Sequence, residues 1–177
     1  SAEEFSRRAG VLDDALLRLL HDDLAAASEN LRPGFLVNPS PSVKGLAAKG
    51  RTGKGRGARA IVLGIQADLR AFAERHGLSS VVVVNVSSTE PPREVPIEWA
   101  TLERFERYLD GRTTKGLTSS VLHAYAAIDA GFPYVNFTPS PGSTIPAILE
   151  LAERRRVPHM GSDGKTGETL VKSVLAP

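Results

Sequence analysis

The sequence predicts an α/β protein built on a doubly wound parallel sheet. Short β-branched runs alternate with helical stretches longer than ten residues, and each run exits into small polar residues. Phe5, Ala9, Leu12, Leu16, Leu17, Leu20 and Leu24 recur at helical spacing, so most of residues 3–28 is expected to be helix, with a break near Gly10. Phe35, Leu36 and Val37 form a short extended run after Arg32, Pro33 and Gly34. Ile61, Ile65, Leu69 and Phe72 mark a second helix that stops at His76 and Gly77, where glycine takes the left-handed C-terminal position. Four consecutive valines, 81–84, predict a strand buried on both faces of a parallel sheet. Residues 97–109 and 117–130 read as helices, the second ending at Gly131, before a strand at 134–137. A helix at 145–154, a strand at 157–160 and a helix at about 167–175 complete the alternation. Ligands of such sheets bind outside the carboxyl ends of the strands, so the residues after 84, 137 and 160 are the place to look.

Composition agrees with a packed core and excludes other classes. The chain has 177 residues, 41% hydrophobic, with no cysteine, which rules out a disulfide framework, a thiolate metal site and a Cys nucleophile. The longest apolar run is far too short to span a bilayer, and the expectation is a soluble intracellular protein with no membrane partner. The first residue is Ser1 and the last, Pro177, follows directly on a helical pattern, so the sheet is expected to be incomplete at both ends.

The formal charge of +2 is unevenly distributed. Of 22 Lys and Arg, six lie at 44–59 with no acid among them, leaving 16 against 20 acids elsewhere. That stretch also holds Gly50, Gly53, Gly55 and Gly57, and it reads as a mobile basic loop. Without interleaved aromatics for base stacking, a solvated loop near an anionic ligand is favoured over a nucleic-acid contact. Gly53 and Gly55 do not open a dinucleotide fingerprint, because its third glycine falls at Ala58 and no strand precedes it.

Each strand exit is polar. Asn85, Val86, Ser87, Ser88 and Thr89 precede Glu90, Pro91 and Pro92, and the double proline stops the strand. Asn136, Phe137, Thr138, Pro139, Ser140, Pro141 and Gly142 follow the second strand, where Ser143 or Thr144 is expected to cap the next helix. The third exit, 161–169, is a Gly-rich turn opening a helix, with Asp163, Lys165, Thr166, Gly167 and Glu168. Backbone amides and the helix dipole there suit a phosphate, and an ordinary turn capped by Asp163 or Thr166 is the other reading. A P-loop fails on spacing, since its first glycine is His159. The four histidines lack metal-ligand spacing, and Trp99, Tyr125 and Tyr134 read as packing residues.

At these three exits the sequence resembles the myo-inositol-1-phosphate synthase family, also called inositol-3-phosphate synthase. The pieces are VVVVNVSSTEPP at 81–92, GFPYVNFTPSPG at 131–142 and VPHMGSDGKTGETLVKSVL at 157–175, with weaker similarity at Arg7 to Leu12 and at Leu31 to Pro33. The resemblance implies a Rossmann-like fold and an isomerase that converts D-glucose 6-phosphate to 1L-myo-inositol 1-phosphate by internal oxidation with NAD, aldol cyclisation and reduction. It places Val86, Ser87, Ser88, Thr89, Phe137, Thr138, Asp163 and Thr166 at the cofactor, and Thr166, Gly167 and Glu168 at a phosphate. Glu168 stands where many members have Gln, and Ser162 replaces an acidic residue; a carboxylate beside a phosphate costs Coulomb energy unless it pairs with a cation such as Lys165.

The resemblance also implies that residues 1–177 are the central part of the NAD-binding domain. A glycine-rich fingerprint is expected before Ser1, and catalytic lysines with the oligomerisation domain after Pro177. Lys172 matches the block preceding those lysines and is not assigned. A cytoplasmic homotetramer is implied for the intact protein. The competing readings are a non-catalytic nucleotide- or phosphate-binding α/β module and, third, a basic nucleic-acid-binding protein.

Overall fold

In the computed structural model, the described residues are 1–39, 51, 52, 57–90, 94–164, 174 and 175. The chain divides into two units, Ser1–Pro33 and Gly34–Pro177. The first holds α1 (Ala2–Ala9), α2 (Asp14–Leu19) and α3 (His21–Ser28). Ser1 caps α1 by accepting from the Glu4 N–H at 3.1 Å, and Gly10 ends it at φ 64°, the break that the sequence predicts. Asp13 caps α2 through the Leu16 N–H at 2.8 Å. A second break, at Leu20, separates α2 from α3; neither Gly nor Pro signals it.

The second unit opens with β1 (Phe35–Leu36), paired in parallel with β2 (Arg51–Thr52). This corrects the reading of 44–59 as one basic loop. Arg51 and Thr52 are strand, and Arg59 belongs to α4 (Ala58–Arg75), where it bonds Asp110 at 2.7 Å and the Tyr125 hydroxyl at 3.1 Å. Residues 44–50 and 53–56 lie outside the described residues. Helix α4 buries Ile61, Val62 and Ile65 and ends at His76 and Gly77, the latter at φ 59°, as predicted. It crosses β1 at Gly64, where a Cβ would lie 2.6 Å from Phe35 Cζ.

Three further parallel strands follow, β3 (Val83–Asn85), β4 (Tyr134–Asn136) and β5 (His159–Met160), side by side in that order. Between β3 and β4 lie a 3₁₀ turn (Ile97–Trp99), α5 (Leu102–Asp110) and α6 (Ser119–Asp129). A second 3₁₀ turn (Gly142–Thr144) and α7 (Pro146–Arg155) join β4 to β5. The helix expected at 97–109 is thus two elements, because Thr101 caps a fresh start through the Arg104 N–H. Of the helix expected at 167–175, only Val174 and Leu175 fall among the described residues, both helical.

The core gathers α4, α5, α6 and α7 against Tyr134. Trp99, Phe105 and Tyr125 stack within it at ring separations of 6.3 and 5.4 Å, the packing role expected of Trp99, Tyr125 and Tyr134. Strands laid down in sequence order with right-handed crossovers put their connecting helices on one face. Hence Tyr134 and Asn136 are buried, whereas Val84 and Met160, which flank Val135 on the opposite face, are 50% and 66% exposed. The expectation that 81–84 is covered on both faces is corrected accordingly: β3 pairs with β4 alone among the described strands, and Val82 and Val84 are exposed. No helix among the described residues is long and apolar enough to cross a membrane.

Candidate functional site

Register brings the first two polar exits together. Asn85 and Asn136 are partners at the ends of β3 and β4, and the Asn85 Nδ2 donates to Asn136 Oδ1 at 3.0 Å. Asn136 is fully buried; its Oδ1 also accepts from Thr138 Oγ1 at 3.1 Å, and its Nδ2 donates to the Ser140 carbonyl at 2.8 Å. The third exit closes on the same residue. Gly161 has φ 88°, and a Cβ there would sit 2.3 Å from the Asn136 carbonyl oxygen. Gly142, at φ 45°, would place one 2.8 Å from Asn136 Nδ2. Both turns therefore need glycine for conformation and for close approach.

Around this buried amide lie the residues that the sequence singled out. Val86, Ser87, Ser88 and Thr89 are exposed, with the Ser87 N–H donating to Asn85 Oδ1 at 3.1 Å. Phe137 is 55% exposed, its N–H bonded to the Asn85 carbonyl at 2.9 Å, and its ring covers Gly164, where a Cβ would fall 2.0 Å from Cδ1. Thr138 differs: it is 4% exposed, and its hydroxyl serves Asn136 and the Ser140 N–H, so its side chain faces the interior. Asp163 is half-buried beside Gly164. Thr166, Gly167 and Glu168, with Lys165, lie outside the described residues.

Sequence reasoning missed Glu90 and its partners. The Glu90 N–H donates to Ser140 Oγ at 2.9 Å, Oε1 accepts from the Ser120 N–H at 3.0 Å, and Oε2 accepts from the Ser120 hydroxyl. Ser120 sits in the first turn of α6, whose cap, Thr118, accepts from the Val121 N–H at 3.3 Å. A carboxylate at that end meets unpaired amides and the positive end of the helix dipole. The available signal was the run Thr118, Ser119, Ser120 at a helix start, which marks a polar end but names no partner.

The expected cap of α7 is corrected. Ile145 occupies the cap position without a side-chain bond, and Thr144 Oγ1 instead donates to the Pro141 carbonyl at 2.7 Å. Ser143 Oγ is buried and has no hydrogen-bond partner among the described residues. Burial pushes the Tyr134 phenol up, against the opposing effect of its bond with Asn85. Burial also holds His123 below its ordinary value, although the Ser119 carbonyl and the Glu90 carboxylate both favour its cation. Among the described residues no group of three or more His, Asp or Glu side chains is placed to hold a metal ion.

The donor set is neutral and mixed: hydroxyls at Ser87, Ser88 and Thr89 beside exposed apolar surface at Val86 and Phe137. That combination fits a dinucleotide, whose riboses need hydrogen bonds and whose rings need apolar contact. A family model described as Myo-inositol-1-phosphate synthase, and named for NAD binding, matches residues 1–177. The chain belongs to that family. Its cofactor is NAD. A Drosophila melanogaster inositol-3-phosphate synthase is 33% identical over 96% of this chain and 29% of its own length. The rat inositol-3-phosphate synthase 1 is 35% identical over 97% of this chain and 30% of its own. The crystal structure of the Caenorhabditis elegans inositol-3-phosphate synthase superposes with a TM-score of 0.74 at 28% identity, over 97% of this chain and 33% of that one. The family match and this superposition make the parallel sheet a Rossmann-like NAD-binding fold. The chain spans about three tenths of the length of these relatives.

Proposed function

We propose that the protein carrying this segment converts D-glucose 6-phosphate to 1L-myo-inositol 1-phosphate, an intramolecular isomerisation of inositol biosynthesis. The observation that supports this most is the paired strand exit, where Val86, Ser87, Ser88, Thr89 and Phe137 lie exposed at adjacent parallel strand ends in a chain of this family. NAD, when bound, supplies a hydride acceptor that later returns the hydride, so the sugar is rearranged with no net redox change. The chain's own part is to bind and orient. Ser87, Ser88 and Thr89 offer hydroxyls to ribose or phosphate oxygens, and Val86 and Phe137 offer apolar surface to a flat ring. Thr138 acts from beneath, fixing the Asn136 amide that holds both exits in register. Asp163 is assigned to the cofactor, Thr166 to cofactor and phosphate, and Gly167 and Glu168 to the substrate phosphate.

On this reading residues 1–177 form the central part of the NAD-binding domain, and lysines after residue 177 carry the proton transfers. A lysine suits enolate stabilisation and proton exchange once burial lowers its pKa. The assembly is a cytoplasmic homotetramer. The test uses the protein expressed from its complete coding sequence: an NAD titration, then NAD-dependent formation of inositol phosphate from glucose 6-phosphate. Binding with turnover is expected. Binding without turnover favours a non-catalytic nucleotide-binding module, and absence of both refutes the proposal.

A further inference from the structure

The exposed segment 86–89 is held at its two ends. At one end, Asn85 accepts from the Ser87 N–H at 3.1 Å and ties β3 to Asn136. At the other stands Glu90, which reaches two separate elements at once. Its backbone N–H donates to Ser140 Oγ, 2.9 Å away in the exit from β4, and its carboxylate takes both the N–H and the hydroxyl of Ser120 at the start of α6. Ser120 and Ser140 are 3% and 2% exposed, so these bonds form where water does not compete for them.

We infer that Glu90 is a positioning residue for the cofactor, a latch that fixes segment 86–89 against the β4 exit and the first turn of α6. The inference rests on the functional reading above, because the segment it fixes is the one assigned to NAD. Glu90 itself need not touch the cofactor. Its role is to remove the conformational freedom that the segment 86–89 would otherwise lose on binding, which raises affinity without a new contact. Gln preserves the length and the capacity to pair with Ser120, accepting from its N–H through Oε1 while Nε2 donates to its hydroxyl oxygen. Asp keeps the charge but is one methylene shorter and cannot span the same gap.

The experiment compares Glu90→Ala, Glu90→Gln and Glu90→Asp with Thr101→Ala in the protein expressed from its complete coding sequence. Thr101 caps α5 through the Arg104 N–H and makes none of the hydrogen bonds described above that hold segment 86–89, so it supplies a purely structural loss. Two readouts are taken at a temperature where every variant is fully folded: the dissociation constant for NAD, and hydrogen exchange of segment 83–90 without NAD. Glu90→Ala is expected to weaken NAD binding about tenfold and to speed exchange, Glu90→Gln to stay within about threefold, and Thr101→Ala to change neither while lowering Tm. Equal effects of Glu90→Ala and Thr101→Ala on the dissociation constant, or an unchanged exchange rate in Glu90→Ala, overturn the inference. Should Glu90→Ala not fold, Glu90→Asp takes its place: it is expected to bind NAD several-fold more weakly than Glu90→Gln, and equality refutes the latch. If the unsubstituted protein does not bind NAD, the functional reading fails, and the exchange arm still decides whether Glu90 fixes the segment.

Discussion

Gly161→Ala tests the close approach of the β5 exit to β4, and Gly131→Ala supplies its control. The two glycines have nearly the same backbone conformation, φ 88° and φ 87°, but opposite surroundings. A Cβ at Gly131 meets nothing within 4 Å, whereas one at Gly161 falls 2.3 Å from the Asn136 carbonyl oxygen and 3.1 Å from its carbonyl carbon. Gly131→Ala therefore carries only the strain of a left-handed alanine, about 1–2 kcal/mol. Gly161→Ala carries that strain and a backbone clash. The clash cannot be relieved by rotating a side chain, because Asn136 is fixed through its pairing with Asn85 and its amide bonds to Ser140 and Thr138. Moving β5 outward relieves it only by stretching the pairing of Val135 with Met160. Overpacking of this kind adds about 1–3 kcal/mol, so the expected loss for Gly161→Ala is about 2–5 kcal/mol. Urea denaturation of both variants measures the difference, with an unchanged slope certifying that the unfolded state is the same. If Gly161→Ala is no less stable than Gly131→Ala, the contact with Asn136 does not constrain the strand end, and the account of how the three exits are held together fails.

Three further outcomes are expected. Gly64→Ala gains about 0.5–1 kcal/mol of helix propensity but forces a Cβ to 2.6 Å from Phe35 Cζ, so a net loss of about 1 kcal/mol in urea is expected, and a gain would mean that the ring swings aside. Burial pushes the Tyr125 phenol up from 10.0 to about 12, so the folded state holds its proton longer than the unfolded chain does. The contribution of Tyr125 to stability is then constant below pH 10 and is lost as pH rises from 10 to about 12, and Tyr125→Phe should make that alkaline slope shallower in urea midpoints taken across the range. Ser143→Ala removes a buried hydroxyl with no partner among the described residues, so without NAD its Tm should hold or rise, by the equivalent of up to about 1 kcal/mol; a clear drop would reveal a bond made by that hydroxyl.

The elements legible in the sequence were those with a local cause. Gly10, Gly77 and Gly131 end helices where they were expected to, because a positive φ is a property of one residue. Leu20 was not legible, since neither Gly nor Pro marks the break there and it shows only in the backbone angles of that residue, φ −96° and ψ 12°. Burial of the valine run depended on what covers each face, and four valines read alike whether one face or two are covered. The polar exits were legible as exits, and the family resemblance named residues on them. The latch at Glu90 was not, because an acid before two prolines reads as solvated loop and its partner Ser120 lies 30 residues away. Thr138 was legible as polar but not as inward-facing, because its direction is set by the buried amide of Asn136 two residues earlier, which Asn85 of β3 holds in turn.

Asn136 serves as a common gauge for the exits it touches, and this bears on how the segment can change over generations. Gly142 and Gly161 are sized to it, Asn85 and Thr138 are bonded to it, and Ser140 receives its amide. A larger residue at Gly142 is tolerated only with a smaller side chain at 136, which would leave Thr138 and Asn85 without their acceptor, whereas at Gly161 the clash is with the backbone of residue 136 and no side-chain change there relieves it. Gly142 and Asn136 should therefore drift together or stay fixed together, whereas Gly161 should stay glycine whatever stands at 136.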